Sequence, residues 1–323
     1  MGVKVVIKAV MAVLLLALLA ACYKHPSHPL VFGANVWPGY EPVYLARDLD
    51  YYDPDKVHLA EYTNASEVIR AFRNDLLQAA AVTLDEALLL QQDIPDLRII
   101  LVFDYSNGAD VVLSQSEIRT LQQLKGRRIG VENTALGAYF LSLALGSAGM
   151  IPEQVNIVPM LVDEHKAAFH AREVDAVVTF EPIRTHLLQH DHANILFDSA
   201  RVPGQIMDVL VTRKEYMERY PDELRMLVQG WTRAIDYMRT DPGQAMRSMA
   251  AREGLSAAEF QAALTGINLT DLAQNRSLLG NAETGLLGNI VRMQDYLLQQ
   301  GLLGAKTDTA AMIDGSLVAG SVP

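Results

Sequence analysis

Asp104-Tyr105-Ser106-Asn107-Gly108-Ala109-Asp110 is a polar, glycine-containing break between two apolar runs, Ile99 to Phe103 and Val111 to Leu113. Short apolar runs bounded by turn formers read as buried strands, and a Ser-Asn-Gly break lets the backbone change direction without ending a domain. The stretch is therefore expected to cross between two lobes. Asp104 and Asp110 stand where strands end, with Asn107 between them, and in open α/β sheets ligands sit beyond the carboxyl ends of strands. Either these polar groups face a ligand or the acids hold backbone amides in an Asx-type turn; the local residues fit both.

Upstream of the crossing, Leu30 to Val36 reads as a strand, Trp37-Pro38-Gly39-Tyr40 as an aromatic turn, and Glu41 to Asp48 as a helix with Pro42 in its first turn. Val57 to Glu61 suits a second strand, and Asn64 can cap a helix from Ala65 to Arg73. Gln78 to Val82 returns as a strand, Thr83 and Asp85 open a helix reaching Gln91, and Leu97 to Phe103 leads into the crossing. Downstream the same alternation restarts, with strands at Val111 to Ser114, Arg128 to Glu132, Val155 to Pro159, Ala176 to Phe180 and Asn194 to Phe197. Helices near Thr120, Leu136, Asp163 and Ile183 separate them. Leu196-Phe197-Asp198 starts a return crossing toward a further strand, Ile206 to Val211. Such alternation implies a mostly parallel sheet. Beyond it lies a helical tail, from Pro221 to Arg239, Pro242 to Arg252, Ala257 to Leu264 and Ala282 to Gln300, with no strand long enough for another sheet. The expected fold is α/β and two-lobed. Residues 30–106 form the first part of lobe one, 107–200 form lobe two, and the helical segment 201–323 returns to lobe one.

A chain of 323 residues with 50% hydrophobic content can bury a substantial core. Its first 21 residues carry Lys4 and Lys8 as their only charges, then the apolar run Ala9 to Ala21, too short to span a bilayer as a helix. A basic start, a short apolar centre and small residues make a secretory signal peptide. Leu19-Ala20-Ala21-Cys22 is similar to the bacterial lipobox, which implies that Cys22 becomes the lipid-bearing first residue of the mature chain and the membrane attachment. Residues 22–29 then form a tether. Cys22 is the single cysteine, so no internal disulfide forms and none is left for catalysis or metal binding. Without residues 1–21 the chain has 25 basic against 38 acidic side chains, a balance of −13, which argues against nucleic acid as a partner.

Val131-Glu132-Asn133-Thr134-Ala135-Leu136-Gly137 places Thr134 where it can cap a helix after a strand, and Gly137 would let a ligand approach the first-turn amides. An ordinary capped helix fits equally. Asp175 to Pro182 delivers Glu181 between a buried strand and a helix, where it is either a ligand contact or a carboxylate satisfying the helix dipole. The strand-end acids Asp85, Asp104, Asp110, Glu132 and Glu181, with Asp208 near the return crossing and Thr83 beside Asp85, have no Arg or Lys among them. Carboxylates around a dehydrated cleft stay ionised cheaply only when donors or cations face them, so an amine- or guanidinium-bearing solute is expected. Trp37, Tyr40 and Tyr139 could pack over it, or belong to the core. His186, His190 and His192 have a spacing that could hold a metal, but no metal or cofactor is expected. The chain has no phosphate-binding loop, dinucleotide fingerprint or nucleophile elbow.

Trp37-Pro38-Gly39-Tyr40-Glu41-Pro42, Asp104 to Asp110, Leu124 to Glu132 and Val174 to Pro182 together resemble the substrate-binding proteins of nitrate/sulfonate/taurine-type ABC importers. The resemblance covers Leu30 to Arg213. It implies a type-two periplasmic-binding fold whose lobes close over a small solute, an importer permease as partner, no catalysis, a monomer, and a place on the outer face of a bacterial membrane; a zwitterionic, taurine- or sulfonate-like solute would use the Thr134 helix start and the acids together. The same family includes the pyrimidine synthase of thiamin biosynthesis, whose cysteine-rich motif is absent here. An enzyme on this scaffold and a sensory receptor are the competing functions.

Overall fold

A computed structural model of the chain describes residues 28–280 and 285–320. The predicted signal peptide, Cys22 and nearly all of the tether lie outside the described residues.

Eleven strands divide between two sheets among the described residues. The first holds β1 (Leu30–Asn35), β2 (Val57–Tyr62), β3 (Ala79–Thr83) and β4 (Leu97–Ser106). The chain then crosses to β5 (Val111–Ser114), β6 (Arg128–Val131), β7 (Asn156–Pro159), β8 (Ala176–Thr179) and β9 (Asn194–Asp198), which make the second sheet in the order β7-β6-β8-β5-β9. It returns with β10 (Met207–Arg213) and β11 (Ile267–Leu269), completing the first sheet in the order β11-β4-β10-β3-β1-β2. The fold is thus α/β and two-lobed, with two crossing segments.

The sheets are more mixed than the alternation of elements implies. β1 pairs parallel with β2 and β3, and β6 with β7 and β8. The strands that follow each crossing run the other way: β5 is antiparallel to β8 and β9, and β10 to β3 and β4. A strand arriving from the other lobe is free of the crossover geometry that forces βαβ neighbours parallel.

Helices α1 (Glu41–Asp48), α2 (Ala65–Arg73) and α3 (Leu84–Asp93) link the early strands of the first lobe; α4 (Ala135–Ser147), α5 (His165–His170) and α6 (Ile183–His190) belong to the second. Asn64 Oδ1 caps α2 by accepting from Glu67 N at 3.0 Å, and Thr134 Oγ1 caps α4 by accepting from Gly137 N at 3.3 Å. In the second lobe, Val111 and Leu113 pack with Phe169 and Leu187 on one face of the sheet, while Val112 packs with Phe140 and Leu145 on the other. Both faces are covered, so the strands read as unbroken apolar runs rather than alternating ones.

The tail supplies α7 (Lys214–Arg219), α8 (Pro221–Thr240), α9 (Pro242–Arg252), α10 (Ala257–Leu264), α11 (Leu272–Gly280) and α12 (Leu286–Gln299). It returns to the first lobe: Leu224, Trp231 and Ile290 share one apolar core with Phe32 and Leu101. Trp231 meets Phe103 edge-on at 5.8 Å, and Asn275 Oδ1 accepts from Val102 N at 2.7 Å. The short β11 adds to the edge of the existing sheet beside β4.

The crossings are joined to each other. Ser199 Oγ meets Ser106 Oγ at 2.7 Å and accepts from Gly108 N at 2.6 Å, and Ser199 N donates to Asp110 O at 2.9 Å. Gly108 holds φ at +114°, a conformation that L side chains rarely adopt. A serine on the second crossing therefore ties down the turn of the first, beside the acids that end β4 and begin β5.

Candidate ligand-binding cleft

A cavity lies between the lobes where these strand ends meet. From the first lobe it is lined by Asn35, Trp37, Tyr40, Ala65, Thr83, Glu86 and Asp208; from the second by Asp110, Glu132, Leu136 and Phe180, with Ile206 on the return crossing. The room open to the centre of a water molecule is about 20 Å³, enough for roughly one or two waters. The lobes are nearly shut.

Its aromatic wall spans the lobes. Trp37 stands edge-on to Phe180 at 5.8 Å, and Tyr40 packs on Phe103 at 5.4 Å. Trp37 Nε1 donates to Asp104 Oδ2 at 3.2 Å, and the Tyr40 hydroxyl donates to Asp208 Oδ1. Asp208 lies opposite both Asp104 and Thr83 in the β10 ladders, so Asp104 and Asp208 form a buried acid pair beneath the aromatic turn. Gly39 is required there, because a Cβ would come within 2.0 Å of Asp104 Oδ2 and 2.4 Å of Trp37 Nε1.

Unpartnered carboxyl oxygens line this cavity, and others occur elsewhere in the chain at Glu253 and Asp198. Glu86 Oε2 accepts from Thr83 N at 3.0 Å in a capping box whose other half is the Thr83 hydroxyl, and Glu86 Oε1 is left without a partner; Asp110 Oδ2 is likewise buried and unpartnered. Such orphan acceptors are costly to bury. Burial pushes the Asp110 carboxyl up to about 7, and burial with the neighbouring Asp85 charge pushes Glu86 up to about 8. Burial raises Asp104 to about 7 and Asp85 to about 6, while Asp208 is driven well above the carboxylate range by burial and then by the charge of Asp104. None of the described residues that line the cavity is basic.

Of the strand-end and turn candidates, Trp37, Tyr40, Thr83, Asp110, Glu132 and Asp208 line one cavity. Asp104 lies beneath it. Asp85 is wholly buried one residue before Glu86, off the lining, with both carboxyl oxygens unpartnered. Glu132 accepts from Ser66 N and Ser66 Oγ, each at 3.3 Å, and so bridges the lobes.

Five candidate residues lie elsewhere. Glu181 accepts from Arg184 Nη1 at 2.9 Å and from Thr185 N and Oγ1, each at 3.0 Å, which is the helix-end role; the expectation that no basic residue stands among these acids fails at Arg184. Gly137 serves packing, since a Cβ would sit 2.3 Å from the Glu132 carbonyl oxygen. Thr134 caps α4 beside a neighbouring groove, and the exposed Asn107 donates its backbone N–H to Gly266 O at 2.7 Å. Tyr139 belongs to the core, edge-on to Tyr296 at 5.3 Å, with its hydroxyl donating to Gln205 Oε1 at 2.5 Å.

Sequence reasoning missed Glu86 and Phe180. Thr83-Leu84-Asp85-Glu86 has the spacing of a capping box, which conceals that only one carboxylate oxygen is needed for the cap. His186 and His190 stack at 4.6 Å, but no group of His, Cys, Asp or Glu suited to a metal occurs among the described residues. Nor is any helix among them long and apolar enough to cross a membrane.

Two α/β lobes joined by two crossing segments, with polar and aromatic strand ends facing a shared cleft, define the periplasmic-binding-protein class of fold. Comparison with known proteins specifies the family: residues 37–245 match the family described as NMT1/THI5 like, and the chain belongs to it. The alkanesulfonate-binding protein SsuA of Xanthomonas axonopodis pv. citri, bound to MOPS, superposes with a TM-score of 0.77 at 17% identity, covering 91% of this chain and 100% of that one. The periplasmic aliphatic sulphonate binding protein SsuA of Escherichia coli gives 0.71 at 18% identity, over 89% and 92%. At such identities the likeness establishes the fold alone. In sequence, the taurine-binding periplasmic protein of Escherichia coli (strain K12) is 25% identical over 181 residues, 54% of each chain. A Brucella abortus (strain 2308) protein named only as a binding protein is 25% identical over 141 residues, 43% of this chain and 44% of that one. The chain spans about half the length of these curated relatives.

Proposed function

We propose that this chain is the solute-binding protein of an ABC-type importer, acting on the outer face of a bacterial membrane and capturing a small organic solute that carries an amine or guanidinium group, alone or as part of a zwitterion. The observation that carries the reading is the pair of unpartnered carboxyl oxygens, Glu86 Oε1 and Asp110 Oδ2, one from each lobe, at a cavity with no basic residue among its described lining. A cationic donor group supplies the missing partners, and Trp37, Tyr40 and Phe180 supply aromatic walls for its charge and its alkyl atoms. Family membership and the likeness to taurine- and sulfonate-binding proteins support the binding role. The lobes act as a clamp: opening about the two crossings admits the solute, and closure dehydrates it. The clamp works as a monomer, held by lipid on Cys22, and hands its solute to a permease without chemistry.

Calorimetric titration of purified protein against polyamines, guanidino compounds, taurine, alkyl sulfonates, bicarbonate and nitrate tests the solute class. Binding confined to amino- or guanidino-bearing compounds, with compaction in small-angle scattering, is expected; tight nitrate binding that survives Asp110→Asn would refute it. Mass spectrometry of membrane-extracted protein should find a lipid-bearing Cys22 at the amino terminus, and an unmodified chain still starting at Met1 would refute the anchor.

A further inference from the structure

The acid-lined cavity abuts a much larger groove. That groove, of about 620 Å³, runs between α2, α3 and the first turn of α4, so it too is bounded by both lobes. Glu86 lines both spaces, and the contact between Ser66 on the groove side and Glu132 on the cavity side forms a partition between them, at 3.3 Å.

The two compartments differ in charge. Carboxyl oxygens without partners face the inner one, whereas Arg70 and Arg73 line the outer one, where Glu86 is the only acid among the described lining residues. Neither guanidinium is buried in its existing pair: Arg70 is 3.7 Å from Glu67 with most of its side chain exposed, and Arg73 is 3.0 Å from Asp93 and nearly half exposed. Ile69 and Leu89, both half-buried, give the groove an apolar surface.

We infer that the two compartments are the ends of one site for an elongated dipolar solute: its ammonium end enters the acid-lined cavity, an aliphatic stem lies along Ile69 and Leu89, and a carboxylate, sulfonate or phosphate end reaches Arg70 and Arg73. The assignment rests on the cation reading above and extends it by fixing the polarity and the length class of the solute. The Ser66–Glu132 contact has to part for the stem to pass, which places the partition at the seam where the lobes separate. A short zwitterion cannot span the two compartments, so binding strengthens with spacer length until the anionic end meets the arginines.

The test is a calorimetric series of ω-amino carboxylic acids with two to eight carbons, each paired with the alkylamine of the same length. At the best length the amino acid should bind roughly three- to thirtyfold more tightly than its amine, the range given by two partly exposed charge contacts. Arg70→Ala with Arg73→Ala should abolish that preference and leave the amine's affinity within about twofold. Equal binding of acid and amine at every length, or an equal loss for both in the double variant, would overturn this inference while leaving the cation reading intact. Binding of neither series would overturn the inference and take the amine out of the cation reading.

Discussion

Asp110→Asn separates the charge of the cleft from its shape. The substitution leaves the hinge bonds in place, because they are made by the backbone: Asp110 N donates to Ser106 Oγ at 3.2 Å, and Asp110 O accepts from Ser199 N at 2.9 Å. Burial, then the charges of Asp85 and Glu181, push the Asp110 carboxyl from 3.8 up to about 7 against a hydrogen bond from Ser106. Between the ordinary carboxylate range and pH 7 the folded protein therefore holds a proton that the unfolded chain has lost, so stability falls as pH rises through that window. A rise of about three pH units corresponds to about 4 kcal/mol above pH 7, and water entering a cleft that opens relieves part of it. The ligand-free variant should be more stable than wild type by about 2 to 4 kcal/mol at pH 8, raising Tm by about 4 to 8 °C, and should match it at pH 4. Scanning calorimetry of both proteins from pH 4 to 8, without ligand, measures this directly. Parallel Tm curves across the range, or a variant less stable at pH 8, would refute the argument that Asp110 is a dehydrated, unpaired acid.

Glu86→Gln keeps an oxygen for Thr83 N while removing the charge at Oε1, and should weaken a cationic solute roughly 10- to 100-fold in calorimetry; unchanged affinity would take Glu86 out of the site. Gly39→Ala forces apart Trp37 and Asp104, and should cost about 1 to 3 kcal/mol in chemical denaturation with altered tryptophan emission, whereas a silent variant would mean that the turn has slack. Ser199→Ala strips the partner from Gly108 N and removes one of the contacts of Ser106 Oγ at the crossings, and should cost about 1 to 3 kcal/mol and broaden the interlobe distance distribution measured between spin labels; an unchanged distribution would show that the crossings do not need this tie.

The central strands were legible because they are covered on both faces and so read as short apolar blocks, as Val111 to Ser114 and Ala176 to Thr179 do, whereas β2 and β7 are partly exposed edge strands. Strand direction was not, since a buried strand has the same composition whichever way it runs; β5 and β10 owe theirs to the crossings, a long-range property. β11 has three residues and exists because β4 offers it an edge. In the cleft, several of the strand-end candidates lie together around one cavity, while single side chains are separated by rotations that composition does not carry. Asp85 and Glu86 are neighbours on one helix, about 100° apart, and it is Glu86 that reaches the cavity. Glu181 could have been set aside, because Arg184 three residues on is positioned to pair with it on a helix.

On the proposed reading, the sign of the solute's charge rests on closure more than on any one contact. In an open cleft, water satisfies Glu86 and Asp110, and the two lobes carry their acids apart. Shutting it to about 20 Å³ removes that water and brings carboxyls of both lobes around one small space. At an effective dielectric near 20, each pair of like charges at 4 Å costs about 4 kcal/mol, so an added anion such as nitrate would meet repulsion from each ionised acid. A proton or a cation removes the same penalty. Protons do so only by neutralising carboxyls that burial has already raised toward 7 and 8, whereas an ammonium or guanidinium also donates to the orphan oxygens that protonation leaves facing one another. The solute that stabilises the shut clamp at neutral pH is thus one that displaces those protons, and its binding should grow tighter as pH rises from 6 to 8, the opposite of the trend expected for an anion.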